Sequence, residues 1–185
     1  RNGKQVREYL FTYTENSYVS TEVNLLAPHL INSPVSMAAQ TGDIDNEGNY
    51  LYIVNADGTV AVFITNRAES VTAWTRFTTD GDVKDVAVVE DVVYFHVKRT
   101  MNGSTVYTIE ALDNNTYTDS AVHVVNSPAS ATVTGLDHLN GQECRVRADS
   151  SVMDNATPAS GSITLARTAT NVEVGMNYDI EVKTM

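Results

Sequence analysis

Apolar and polar positions in this chain alternate over short runs, and turn residues separate the runs. Val6 to Tyr13 reads Val-Arg-Glu-Tyr-Leu-Phe-Thr-Tyr, rich in β-branched and aromatic residues, and is predicted to be a strand. Val35 to Gln40 and Tyr50 to Asn55 follow as strands, and Asp57-Gly58 then supplies a tight turn into Thr59 to Thr65. Asp-Gly between two such runs is a hairpin signal because both positions tolerate positive φ. Val71 to Thr78 continues the series and carries the single tryptophan, Trp74. Asp80-Gly81 reverses the chain again. Val83 to Val89 and Val92 to Lys98 form the next pair around Glu90-Asp91, and Asn102-Gly103 turns into Ser104 to Leu112. Strands thus recur about every ten residues with turn chemistry between them, the mark of an antiparallel meander.

One stretch departs from this period. Val23, Leu26 and Leu30 fall at helical spacing, Ser20 is a candidate N-cap and Glu22 lies near the positive end, so a short helix is expected near 21–31, kinked at Pro28. After the polar break Asp113-Asn114-Asn115-Thr116 the composition shifts toward Ser, Thr, Val and Ala. Short strands are expected at Val122 to Val125, Ala131 to Thr134, Glu143 to Ala148, Ser162 to Leu165, Asn171 to Gly175 and Tyr178 to Thr184, punctuated by Gly135, Gly141, Gly161 and Gly175. The expected fold is mainly β. Residues 1–118 form a partial, propeller-like antiparallel meander with one short helix. Residues 119–185 form a small β-barrel or β-sandwich domain.

Composition narrows the class. The 185 residues are 42% hydrophobic and 19% charged, which suggests neither disorder nor a fibrous protein. No run approaches the roughly 20 apolar residues of a spanning helix, and membrane insertion is not expected. Arg1 to Gln5 is polar with no apolar segment after it, so no signal peptide is read. Without an initiator Met, the sequence reads as a piece of a longer protein. A lone cysteine, Cys144, excludes an internal disulfide and suits a reducing cytoplasm. The net charge of −11 opposes wrapping of nucleic acid, yet it is compatible with a wall along which DNA slides. A simply solvated acidic surface is the plainer account.

Ordered stretches carry a resemblance. Val6-Arg7-Glu8 is followed by Tyr18-Val19-Ser20 and Leu25-Leu26-Ala27-Pro28-His29-Leu30. Asp57-Gly58-Thr59 then leads to Trp74-Thr75-Arg76-Phe77-Thr78-Thr79-Asp80-Gly81. Val86-Ala87-Val88-Val89, Val97-Lys98-Arg99-Thr100, Asn102-Gly103, Ile109-Glu110-Ala111-Leu112-Asp113 and Gly135-Leu136-Asp137-His138-Leu139-Asn140-Gly141 complete the series. In this order and spacing, over almost the whole chain, they resemble the C-terminal part of tail tubular protein B, the nozzle-type tail protein of short-tailed bacteriophages and related prophages. Thr41 to Asn49, and Ala111 where the family tends to carry Arg, depart from its pattern. The resemblance implies a propeller-like platform with an appended β-domain. It implies a virion tail protein made in the host cytoplasm, whose ring of identical subunits, suspected to be a hexamer, conducts the genome without binding it specifically. Adaptor and fibre proteins would be its neighbours.

The residues offer little catalytic chemistry. No nucleophile elbow, zinc-protease motif or phosphate loop is present, and no cofactor and no enzymatic activity are expected. His29, His96, His123 and His138 lie far apart in sequence; His96 reads as a sheet residue and His138 as a turn-stabilising hydrogen-bond partner. Asp80, Asp82 and Asp85 cluster in a turn, where solvation is a simpler account than a glycosidase pair. The sharpest local pattern is Asp43-Ile44-Asp45-Asn46-Glu47-Gly48, in which Asp43, Asp45 and Glu47 are candidate calcium ligands. Val54 stands where the loop's closing Glu belongs, so an acidic inter-strand loop is the plainer reading. Two function classes remain: a structural tail component, and a carbohydrate- or receptor-binding β-module whose loops contact a surface glycan. The plain-loop reading predicts no heat on titration with about millimolar calcium and an unmoved melting temperature. Saturable heat would establish a calcium loop.

Overall fold

The computed structural model describes residues 3–42, 48–66, 68–178 and 180. The chain is mainly β and divides into two compact units. The first holds residues 1–98 and 108–112, the second residues 99–107 and 113–185.

The first unit opens with a two-stranded hairpin, β1 (Arg7–Thr12) and β2 (Ser17–Glu22). A four-stranded antiparallel meander follows: β3 (Pro34–Gln40), β4 (Asn49–Asn55), β5 (Val60–Asn66) and β6 (Val71–Phe77). A three-stranded sheet is built from β7 (Asp82–Val89), β8 (Val92–Met101) and β9 (Ser104–Ala111); its residues 99–107 belong to the second unit. The two larger sheets share a core of Tyr52, Val54, Val60, Val62, Val83, Val86, Val93, Phe95 and Val97. The other face of the meander buries Ile53 and Ala61 beneath Ile31, with Val6, Leu30 and Trp74 at the margin. β4 is therefore buried on both faces, and its near-continuous apolar run follows from that.

The turns follow the expected chemistry. Glu90 and Asp91 have φ of 49° and 64°, and Asn102 and Gly103 have φ of 47° and 73°, both patterns suited to type I′ hairpins. Gly58 has φ +85°, and a Cβ there would lie 2.7 Å from the Asp82 Cα, so this turn needs glycine on two counts. A register shift between Val83 and Asp85 lets Val83 and Val86, three residues apart, both face the core.

The helix expected near 21–31 does not form. Ser20 and Glu22 lie in β2, paired with Tyr9 and Arg7, and only Pro28–Leu30 makes a single 3-10 turn, with Pro28 opening it. Cross-strand pairing and ring contacts outweigh the helical spacing, and Leu26 is 93% exposed rather than buried on a helix face. Asn24, wholly buried, takes the place of a helical ladder. Its Oδ1 accepts from the Val6 N–H at 2.9 Å and its Nδ2 donates to the Lys4 carbonyl at 2.7 Å. Asn55 does likewise for the next segment, donating to the Leu30 carbonyl and accepting from the Asn32 N–H, each at 2.9 Å.

The second unit is one open four-stranded sheet, not a closed barrel, in the order β10 (Asp119–Thr134), β13 (Ser162–Met176), β11 (Cys144–Ala148), β12 (Ser151–Val152). A second 3-10 turn spans Asp137–Leu139. The separate strands expected at 122–125 and 131–134 are one long strand broken by register shifts, and those expected at 162–165 and 171–175 are likewise one. Gly175 lies inside β13 rather than ending a strand. A Cβ there would meet the Thr118 Oγ1 at 2.5 Å and the Asp119 carbonyl oxygen at 2.7 Å, so glycine admits the 118–119 backbone. The strand expected at Tyr178 to Thr184 falls largely outside the described residues; Tyr178 and Ile180 are exposed and in no strand. Val133, Leu136, Leu139, Val146, Val172 and Val174 centre the core, and Met101 from the β8 end joins it.

Polar bonds seat the segment that enters this sheet. The buried Glu173 Oε1 accepts from the Tyr117 N–H at 2.7 Å and the Thr118 hydroxyl at 2.8 Å, and the Arg147 guanidinium lies 4.5 Å from the Tyr117 ring centre. Arg99, fully buried, donates to both Asp119 oxygens at 3.1 and 2.8 Å. Breaking a buried pair from one side strands the other charge. Arg99→Ala should therefore lower stability by about 3–5 kcal/mol in denaturant titrations. A loss below about 1 kcal/mol would mean that water satisfies Asp119.

Candidate interaction surface

Strand alternation places Arg7, Tyr9 and Phe11 of β1 on one face of the hairpin, with Tyr18, Ser20 and Glu22 opposite them on β2. The aromatic members pack on one another. Tyr9 and Tyr18 stack at 5.1 Å with their planes 2° apart, and Phe11 sits edge-on to Tyr18 and to Tyr13, each at 5.3 Å. Such contacts contribute about 0.5–1.5 kcal/mol each. They leave the cluster open to solvent: Tyr9 is 71% exposed, Phe11 36%, Tyr13 91% and Tyr18 62%.

The hairpin is fastened at its base. Besides the Asn24 amide, the Val23 N–H donates to the Val6 carbonyl at 3.0 Å, and the Trp74 indole N–H donates to the Val23 carbonyl at 2.9 Å. Trp74 is half-buried, with its ring 4.7 Å from that of Phe63, and it anchors this base. Toward the turn, Asn16 takes φ 48° and its N–H donates to the Tyr13 carbonyl at 3.3 Å. Sequence reasoning found β1 but missed this surface. The signal was aromatic residues at 9, 11 and 13 with Tyr18 beyond a short polar turn; the helical spacing that follows obscured the second strand.

Other candidate chemistry is tied into structural bonds. The Ser36 hydroxyl donates to Asp85 Oδ1 at 2.5 Å, and Asp85 faces His96 across β7 and β8. These are the residue types of a catalytic triad in the wrong order. The serine bonds the carboxylate directly, and that carboxyl is held below its usual range by the Ser36 hydroxyl, then the Val86 N–H, with His96 adding to the effect. A carboxylate of lowered basicity is a poor base for activating a hydroxyl. Asp82 pairs with Lys84 at 3.0 Å, so the acidic cluster of that turn is divided among separate partners. His123 Nε2 lies 2.9 Å from the Thr116 hydroxyl, and His138 Nε2 lies 3.1 Å from the Ser120 carbonyl in β10, tying its turn to a strand rather than bracing the turn itself. The Cys144 thiol is buried and pushed up to about 11, by burial first and Glu143 second, which keeps it protonated at neutral pH.

Asp43, Asp45 and Glu47 lie outside the described residues; beside them, the Asn49 side chain accepts from the Gly42 N–H at 3.2 Å. Among the described residues, no group of three or more His, Cys, Asp or Glu side chains is placed to hold a metal ion. No helix among them is long and apolar enough to cross a membrane.

No protein-family model matches the chain, and no curated protein matches it.

Ser36→Ala should raise the Asp85 pKa toward the ordinary value of 3.8, read by NMR titration of the carboxyl. The sign for stability follows. A carboxyl depressed in the folded state stabilises fully above the unfolded value and loses that contribution as the pH falls through the folded value. The variant should therefore lose its relative disadvantage below about pH 4. An Asp85 pKa unmoved by Ser36→Ala would dismiss the hydroxyl as its main cause.

Proposed function

We propose that this chain is a structural component of a bacteriophage tail, assembling with copies of itself into a closed ring that conducts the genome. The ring reading is carried by the resemblance; the aromatic face of the β1–β2 hairpin, which a single chain leaves open to water, speaks for association in general and not for a ring in particular. The assignment to a tail rests on the ordered motifs that resemble the nozzle family. The acidic charge of −11 suits a wall that passes DNA without holding it.

A glycan- or receptor-binding role is the second reading, and the Tyr13 ring, 91% exposed near the hairpin turn, is what favours it. A sugar platform needs open ring faces, however, and Tyr9 and Tyr18 turn theirs toward each other. Intact protein released from virions should run as a closed cyclic oligomer, a hexamer in the family's manner, by mass photometry. A monomer there would end the tail-ring reading. Saturable binding on a glycan array by the same material would favour the second.

A further inference from the structure

We propose that the aromatic face of the β1–β2 hairpin is covered by the same face of a second copy of this chain, lying antiparallel across it. The inference goes beyond the tail reading and does not rest on it.

Area supports a second copy. With about 200 Å² for a whole aromatic side chain, the exposures of Tyr9, Phe11, Tyr13 and Tyr18 sum to roughly 500 Å². That lies toward the upper end of the largest apolar patch on an ordinary monomer. Two such faces bury about 1,000 Å², the size at which a specific interface begins, before any rim residue is added.

Ring pairing and charge together set the orientation. Arg7 stands at the open end of the face, and Glu15 lies in the turn beyond the six-residue strand β1, about 20 Å away. The Arg7 guanidinium is already steered along the face, its Nε donating to the Ser20 hydroxyl at 2.9 Å and its Nη2 to the Ser20 carbonyl at 2.6 Å. Glu22, opposite Arg7, accepts from Gln5 at 2.9 Å. A parallel two-fold arrangement lays each β1 over the other copy's β2, so Arg7 meets Glu22 and Tyr9 meets only Ser20. An antiparallel one sets each Arg7 beside the other copy's Glu15 and over its Tyr13 ring, so opposite charges meet twice and each guanidinium gains an aromatic face. The aromatic residues in the middle meet their own kind.

Such a contact is two-fold and closes after two copies; a ring needs a different, head-to-tail contact. A missing ring in virion protein therefore leaves this pairing standing, and a missing pair leaves the ring reading standing.

Sedimentation velocity of this chain across a concentration series tests it. The expected result is a monomer–dimer equilibrium that Tyr9→Thr with Tyr18→Thr weakens about tenfold or more. Threonine keeps the strand preference, and an unchanged Trp74 emission and melting profile shows that the variant is folded. Glu15→Lys should weaken the dimer without touching the aromatic residues. Antiparallel order is read by mixing Arg7→Cys protein with Tyr13→Cys protein: the mixed disulfide should form faster than either like pair, and the buried Cys144 does not compete. A monomer at every concentration, or a dimer indifferent to the Tyr9/Tyr18 double variant, overturns the proposal. Binding of glycan or lipid vesicles through these residues by a chain that stays monomeric overturns it as well.

Discussion

The packing of one valine-rich layer between the four-stranded meander and the three-stranded sheet is the constraint on which the first unit depends. Val54, Val60, Val83, Val93 and Val97 are almost wholly buried there. Each such side chain contributes about 1.5–3 kcal/mol by leaving water, whereas an exposed pair such as Lys84–Asp82 contributes under about 1 kcal/mol. The layer therefore dictates geometry to its surroundings. It demands the register shift that turns Val86 inward, and it draws β3 and β7 into reach of the bond from Ser36 to Asp85. Burial on both sides of β4 also leaves the 23–32 segment crossing a covered face without a strand partner. Backbone groups there still require partners, and the Asn24 and Asn55 amides supply them.

The second unit uses the same apolar logic for its sheet and a polar one for its entry. Residues 113–119 lack apolar mass of their own apart from Tyr117. They are held by Glu173 from below, by Arg147 over the Tyr117 ring, and by the Arg99–Asp119 pair. Gly175 completes this arrangement by having no side chain, because any Cβ would occupy the space that Thr118 and Asp119 fill. Removing one member leaves a charge or a backbone group stranded, so these bonds fix where the segment lies even if their net contribution to stability is small.

Much of this was legible in the sequence where a local rule had no competitor. Glu90-Asp91, Asn102-Gly103 and Asp57-Gly58 mark their turns because positive φ is costly for most residues, and the strands between them carry β-branched residues. Asp149-Ser150, also at positive φ, turns β11 into β12 without a glycine and escaped notice. The 21–31 stretch misled because helical spacing is a local signal, whereas Tyr9 and Phe11, which hold β2 extended, come from another strand. Gly175 misled for a related reason. In sequence it resembles a strand end, and only the approach of residues 118–119, far away along the chain, shows why glycine is needed within a strand. Buried hubs such as Asn24 and Glu173 leave no trace in a pattern of apolar positions, since polar residues read as surface until their partners are known.

The hairpin is where the fold relies least on itself. β1 and β4 both carry aromatic residues at alternate positions, yet β4 ends between two layers and β1 ends with one neighbour and water. Three ring contacts contribute a few kcal/mol at most, and a two-stranded ribbon alone is marginal in water. Order in the hairpin thus depends on its base, on Asn24 and on the Trp74 bond to Val23, which fix its origin and leave its aromatic face uncovered. Among the described residues, the Ser36, Asp85, His123 and His138 side chains, of types that carry chemistry elsewhere, have partners inside the fold. The aromatic residues are committed only to one another. A surface whose apolar area exceeds what its own contacts stabilise gains most from being covered.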